Sequence, residues 1–78
     1  MNVSATRVSF DDYRMWVDCN DGRVLGVPIA LFPRLLSATP EQRARVELNR
    51  IGLHWKEIAE HISIARLIAA VGEPKQKD

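Results

Sequence analysis

The residue types that could bind a metal fall close together in the second half of this 78-residue sequence. They are two imidazoles and two carboxylates: His54, Glu57, Glu60 and His61. A zinc site needs three or four ligands at fixed spacing, and the order His-Trp-Lys-Glu fits neither metalloprotease helix signature. We therefore expect no metal and no other cofactor, and we interpret His54 as a hydrogen-bonding residue at a strand end.

A second candidate for chemistry is the single cysteine, Cys19. A reactive thiolate needs cationic surroundings or a helix N-terminus, whereas Asp18 and Asp21 would raise the pKa of this thiol. The sequence also has no glycine-rich phosphate loop and no Gly-x-Ser-x-Gly nucleophile motif. We therefore predict no catalytic residue, and we interpret Cys19 as a small apolar residue at the end of a strand.

The two tryptophans are of the residue type that dominates protein interfaces. We expect Trp55 to lie in the core and Trp16, on the more polar face of a predicted strand, to be at least half exposed. Tyr13 and Arg14 lie beside Trp16 in the sequence. These three residues are the candidate interface of a protein-binding module, which is the favoured function.

The alternative function is a nucleic-acid-binding regulator that uses an arginine patch. Its candidate residues are Arg43, Arg45, Arg50 and Arg66. With 11 basic and 10 acidic side chains the net charge is only +1, whereas dedicated nucleic-acid-binding domains are usually clearly basic. The segment from Trp55 to Ser63 imitates a helix-turn-helix, but the helix predicted after it has one basic residue, Arg66.

The first third of the chain has the alternation of β-strands. Apolar residues recur with period two over residues 8–10 and 13–19, and residues 23–27 contain β-branched residues. Asp11-Asp12 predicts the first turn, and Asn20-Asp21-Gly22 predicts a hairpin because Asp-Gly tolerates positive φ. We predict a three-stranded antiparallel meander, with Pro28 ending the third strand.

In the rest of the chain the spacing of the apolar residues changes several times between helix-like and strand-like patterns. Residues 29–36 predict a short helical stretch, and Thr39-Pro40-Glu41-Gln42 predicts a helix start with a capping box. Residues 46–58 suit either short strands or one long helix; we favour strands, because Gly52 would weaken the helix. Ser63 is placed to cap a last helix with apolar residues at i, i+3, i+4 and i+7, which Gly72 would end.

These elements predict an α+β fold: the meander, one or two short later strands, and two or three short helices. Residues 1–72 should form one domain, and residues 73–78 a disordered polar tail. Phe32, Leu35 and Leu36 should pack under the sheet face formed by Met15, Val17 and Leu25. Leu67 and Ile68 should close the other side.

The wider setting follows from composition. The longest uncharged run, residues 24–33, is shorter than the roughly 20 residues that span a bilayer, and a single cysteine allows no internal disulfide. We expect a cytoplasmic protein with no membrane partner. Because so short a chain builds only a small core, we also expect a homodimer.

Several segments together resemble a known bacterial family, domain of unknown function 2442. The matching segments are Asp21-Gly22-Arg23, Val27-Pro28, residues 32–36, residues 38–43, Gly52-Leu53-His54-Trp55, Ile62-Ser63-Ile64 and Leu67-Ile68. Lys56 stands where the family usually has proline, and residues 59–61 replace its acidic run.

The resemblance implies a small α+β domain and supports strands in residues 46–58. It carries no established catalytic residues. Members of the family are often encoded beside another small protein, domain of unknown function 4160, in a toxin–antitoxin-like arrangement. The resemblance therefore implies an antitoxin-like or regulatory partner of a neighbour-encoded protein.

Overall fold

The structure, a computed structural model, describes residues 3–71, and within them it has six strands and three α-helices. The strands are β1 (Ala5–Phe10), β2 (Arg14–Cys19), β3 (Val24–Pro28), β4 (Glu47–Leu48), β5 (Gly52–Trp55) and β6 (Glu60–Ser63). The helices are α1 (Pro33–Ser37), α2 (Pro40–Ala44) and α3 (Ile64–Val71), with a 3₁₀ turn at Ile29–Leu31. The predicted α+β class is confirmed.

The N-terminal meander is confirmed as an antiparallel sheet in the order β1-β2-β3. Gly22 has a φ of 93° at the β2–β3 turn, and its N–H donates to the Cys19 carbonyl at 3.0 Å. Glycine reaches this conformation without steric cost. The turn sets a register in which Trp16 lies opposite Ser9 on one side and Gly26 on the other.

The second sheet has the order β4-β5-β6 and confirms the strand interpretation of residues 46–58. The expectation of one or two later strands was too low, because β6 adds a third. A turn at 56–59, in which the Ala59 N–H donates to the Lys56 carbonyl at 3.2 Å, folds β6 back onto β5. Since this turn and β6 fill the segment from Trp55 to Ser63, it has no helix-turn-helix.

The predicted helix starts are confirmed. Pro33 and Pro40 each occupy the first turn of a helix. In the capping box of α2, the Gln42 N–H donates to Thr39 Oγ1 at 3.1 Å and the Thr39 N–H donates to Gln42 Oε1 at 2.9 Å. Ser63 Oγ accepts from the Arg66 N–H at 3.0 Å at the start of α3. These bonds satisfy backbone donors that have no partner within the helix.

One hydrophobic cluster lies between the two sheets and the helices. Its buried members are Ala5, Met15, Val17, Cys19, Leu25, Val27, Ile29, Phe32, Leu35, Leu53, Trp55, Ile62, Ile64 and Leu67. Trp55 is only 1% exposed, as predicted, and its indole N–H donates to the Arg43 carbonyl at 3.0 Å. The cluster therefore joins β5 to the end of α2.

The core prediction was wrong for Leu36, which is 53% exposed. Successive side chains on a helix differ by about 100° in direction, so α1 turns Leu36 away when it buries Leu35. Ile68 is partly buried against the cluster and Leu67 is fully buried. The predicted tail, residues 73–78, and Gly72 lie outside the described residues.

Candidate interaction surface

Arg14 and Trp16, two of the three candidate interface residues, lie on the face of the first sheet that points away from the core, and Tyr13 lies in the turn just before β2. Side chains alternate along β2, so Met15, Val17 and Cys19 are buried and the intervening residues face outward. The strand register then arranges this outer face in three rows. They are Arg7-Asp18-Val24, Ser9-Trp16-Gly26 and Asp11-Arg14-Pro28, in each case read from β1 across β2 to β3, with Asp11 just beyond the end of β1.

A single carboxylate, that of Asp11, connects the three candidate residues. Asp11 Oδ1 accepts from the backbone N–H groups of Tyr13 at 2.8 Å and Arg14 at 2.7 Å. Asp11 Oδ2 accepts from the indole N–H of Trp16 at 2.7 Å. The bond from Trp16, followed by the two backbone bonds, lowers the pKa of the Asp11 carboxyl below its ordinary value of 3.8.

Trp16 is only partly exposed, so the prediction that it is at least half exposed was wrong. Its six-membered ring lies across the backbone of Gly26, and a Cβ at position 26 would come within 2.5 Å of the ring. The absence of a side chain on Gly26 therefore lets the indole lie flat on β3, while Asp11 fixes its other end. The indole is therefore held between the Asp11 carboxylate and the backbone of Gly26.

Tyr13 is the most exposed large hydrophobic side chain of the described residues, at 78%. Its backbone is nevertheless fixed on both sides. The Tyr13 N–H donates to Asp11 Oδ1, and the Tyr13 carbonyl accepts from the Ile29 N–H at 2.9 Å. The fold thus presents an exposed aromatic ring from a backbone that is already ordered, and Arg14 beside it is also exposed.

Three of the four arginines of the nucleic-acid alternative have partners within the chain. Arg43 donates from Nε to the Leu35 carbonyl at 2.8 Å and from Nη2 to the Leu36 carbonyl at 3.1 Å. Arg45 pairs with Glu57 at 2.7 Å. The first of these arginines therefore satisfies carbonyls of α1, and the second is part of a surface ion pair.

Arg66 and Arg50 complete that set. The Cζ atom of Arg66 lies 5.3 Å from the centroid of the Phe32 ring, and Nη1 approaches the His61 carbonyl at 3.4 Å. Arg50 is exposed in the turn between β4 and β5. Of the four, Arg50 alone has no internal hydrogen bond or ion pair among residues 3–71.

The two histidines lie directly opposite each other on β5 and β6, with ring centroids 5.9 Å apart. Glu47 of β4 is the partner of His54 on its other side. Among the described residues, no group of three or more His, Cys, Asp or Glu side chains is arranged to hold a metal ion. His54 lies in the middle strand of the second sheet, one residue before the end of β5.

Cys19 is buried at the end of β2, as predicted. Burial is the main cause that raises the pKa of its thiol, followed by the nearby charge of Asp21. The sequence prediction attributed the raised pKa to the acidic and polar neighbours, Asp18, Asn20 and Asp21. A thiol that stays protonated at neutral pH is a poor nucleophile.

Sequence reasoning did not identify Asp11 as the residue that joins Tyr13, Arg14 and Trp16, and treated it only as part of a turn. The available signal was its position: an aspartate that begins a turn often accepts hydrogen bonds from the backbone two and three residues ahead. The bond from Trp16 depends on the direction of the indole, which the sequence does not show.

No α-helix within residues 3–71 is long and apolar enough to cross a membrane. A search of curated proteins found no match, and a search of solved structures found none. The sequence profile of one family, described as "Protein of unknown function (DUF2442)", matches residues 5–73. Because this match covers most of the 78 residues, the chain belongs to the DUF2442 family.

Proposed function

We propose that this protein is a small non-enzymatic protein-binding module that docks its partner on the outer face of the first sheet. The observation that carries this proposal is the set of three hydrogen bonds from Tyr13, Arg14 and Trp16 to the Asp11 carboxylate. Tyrosine, arginine and tryptophan are the residue types most enriched at energetic centres of interfaces. Groups that are ordered before binding lose less entropy when a partner docks.

The chemistry of the surface favours a protein over a small ligand. The outer face is a sheet surface that carries charges of both signs around a flat indole, whereas small-molecule sites are concave and mostly apolar. A mixture of charges and exposed aromatic area is typical of protein interfaces. The net charge of +1 leaves no dominant attraction for polyanions.

The biological setting we propose is cytoplasmic and regulatory, with the protein acting as the antitoxin-like member of a pair with a neighbour-encoded small protein. This part of the proposal rests on the family relationship and on the type of surface. Nucleic-acid binding through the arginines is the alternative. It is the weaker proposal, because Arg43, Arg45 and Arg66 already bind groups within the chain.

A binding measurement on immobilised protein tests the docking surface. We expect the purified product of the adjacent gene, or a further sample of this protein, to bind at physiological salt. Tyr13→Ala and Trp16→Ala should each weaken that binding about tenfold or more. Ile51→Ala is the matched control, because Ile51 is 66% exposed in the turn between β4 and β5 and should leave binding unchanged.

Two outcomes would contradict the proposal. One is binding that is equally unaffected by all three variants, which would place the interface elsewhere. The other is a mobility shift on duplex DNA whose affinity falls steeply with salt and depends on Arg50, which would favour the nucleic-acid alternative. Circular dichroism of each variant checks that a loss of binding is not a loss of folding.

A further inference from the structure

The outer face of the first sheet has a charge pattern that is complementary to itself. On β2, Arg14 and Asp18 lie two residues to either side of Trp16. Arg7 and Asp11 lie two residues to either side of Ser9, which is the β1 partner of Trp16. Because the two strands are antiparallel, the arginine of one lies beside the aspartate of the other: Arg7 is opposite Asp18, and Asp11 is opposite Arg14.

The third strand continues this arrangement with apolar groups. Val24 and Pro28 of β3 lie two residues to either side of Gly26, the other partner of Trp16. Val24 is 57% exposed and Pro28 is exposed. The central row therefore carries Trp16 over Gly26. On each strand, the two residues at equal distances from this row are either oppositely charged, as on β1 and β2, or both apolar, as on β3.

We propose that a second copy of this chain docks face to face on this surface, about a two-fold axis that runs across the strands above Ser9, Trp16 and Gly26. This inference rests on the proposed function for the docking surface, and it names a second copy, rather than the neighbour-encoded protein, as the occupant. A two-fold rotation about this axis reverses the direction of each strand and keeps its place in the sheet. Each end of a strand then faces the opposite end of the same strand in the other copy.

Every contact predicted by this rotation is favourable. Arg14 of one copy faces Asp18 of the other, and Arg7 faces Asp11. Val24 faces Pro28, and the two Trp16 rings meet over the two Gly26 residues. Stacked sheets lie about 10 Å apart and pack with their strands within about 30° of each other. Offset stacking of two indoles adds to the buried area at the centre.

The same rotation places like charges together in none of the three rows, which is the argument for a second copy rather than an unrelated partner. Contact of this face with a different surface of a second copy would form rings or open chains, whereas an isologous contact closes as a dimer. The surface of the chain is 5158 Å², and one face of a three-stranded sheet is a small part of it. We therefore expect a weak dimer, with a dissociation constant in the micromolar range.

Charge reversal tests the geometry directly. In Arg14→Asp, both copies place an aspartate against Asp18 of the partner, and in Asp18→Arg both place an arginine against Arg14. Sedimentation velocity over roughly 5 µM to 1 mM should show a dissociation constant about 30-fold higher for each variant than for the unaltered chain. The double variant Arg14→Asp/Asp18→Arg should dimerise again.

A mixture of the two single variants is the sharpest part of the test. One copy then carries two aspartates and the other two arginines at these positions, so both pairs become attractive and a heterodimer should form. Arg50→Asp is the matched control: it changes the net charge as Arg14→Asp does, in the turn between β4 and β5. It should dimerise as the unaltered chain does.

The proposal is overturned if the unaltered chain is monomeric throughout that range, or if the mixture associates no better than the single variants. A different result would overturn this inference and still support the proposed function. Binding to a neighbour-encoded protein that is weakened by Tyr13→Ala, together with a chain that is always monomeric, would keep the docking surface and exclude the second copy as its occupant.

Discussion

Replacing Trp55 by alanine should leave most of the protein unfolded at room temperature. The side chain is 1% exposed, and truncation of a buried aromatic residue to alanine costs about 3–5 kcal/mol. The lost bond from the indole to the Arg43 carbonyl adds about 1 kcal/mol. At the usual stability per residue, a chain of 78 residues has a free energy of unfolding of about 4–12 kcal/mol. A loss of about 4–6 kcal/mol removes a third to a half of the upper value and all of the lower one, and we expect a domain with so small a core to lie near the lower one.

Urea unfolding followed by far-ultraviolet circular dichroism measures the effect. Trp55→Phe keeps an apolar ring but not the hydrogen bond, and it should lose about 1–2 kcal/mol. Trp16→Ala should lose a similar amount, because Trp16 is partly exposed and lies outside the core cluster. The reasoning is refuted if Trp55→Ala is folded with an unchanged midpoint while Trp16→Ala is unfolded.

Three further predictions concern single positions. Gly52→Ala should destabilise by about 3 kcal/mol in urea unfolding, because its Cβ would overlap the Ile62 carbonyl; a normal midpoint would contradict the close approach of β5 and β6. Ala59→Gly should raise the free energy of unfolding by about 0.5–1 kcal/mol, because Ala59 has a φ of 53°; a lower midpoint would contradict this. The lowered pKa of Asp11 stabilises the folded state above the unfolded pKa of about 3.9, and this contribution is lost as the pH falls through the lowered value. Below about pH 4 the urea midpoint of the unaltered chain should therefore fall more steeply than that of Asp11→Asn, and equal slopes would contradict the role of this carboxylate.

The parts of the fold that the sequence predicts correctly are those with local causes. The capping box at Thr39 and Gln42, the hairpin at Gly22 and the cap at Ser63 each depend on residues within four positions of one another. Strand β6 was missed because it is only four residues long and its backbone hydrogen bonds depend on pairing with β5. Its turn also contains Ala59 in a conformation that is typical of glycine.

The candidate surface was predicted in its members but not in its geometry. Trp16 was expected to project into solvent, whereas it lies on Gly26. The hairpin turn at residues 20–22 fixes the strand register, and this register alone places Gly26 opposite Trp16. The position of Trp16 beside Gly26 could therefore have been predicted from the sequence. The hydrogen bond from the indole to Asp11 depends on the side-chain rotamer of Trp16, which is determined by the packing around the ring and cannot be derived from the sequence.

The strand order within each sheet has a consequence for how quickly the chain reaches its native state. Every pairing in the described residues joins strands that are consecutive in the sequence, so each loop closure is short. Folding rates rise as contacting residues come closer in sequence, and mixed domains fold at rates between those of helical bundles, about microseconds to milliseconds, and all-β domains, about milliseconds to seconds. We expect each three-stranded unit to form its hydrogen bonds from local encounters, while the step that sets the rate is the meeting of β1 with β4 and of β3 with α3. Stopped-flow refolding of a Trp16→Phe variant, in which Trp55 is the one tryptophan left, follows the burial of Trp55 in the core cluster that both sheets share.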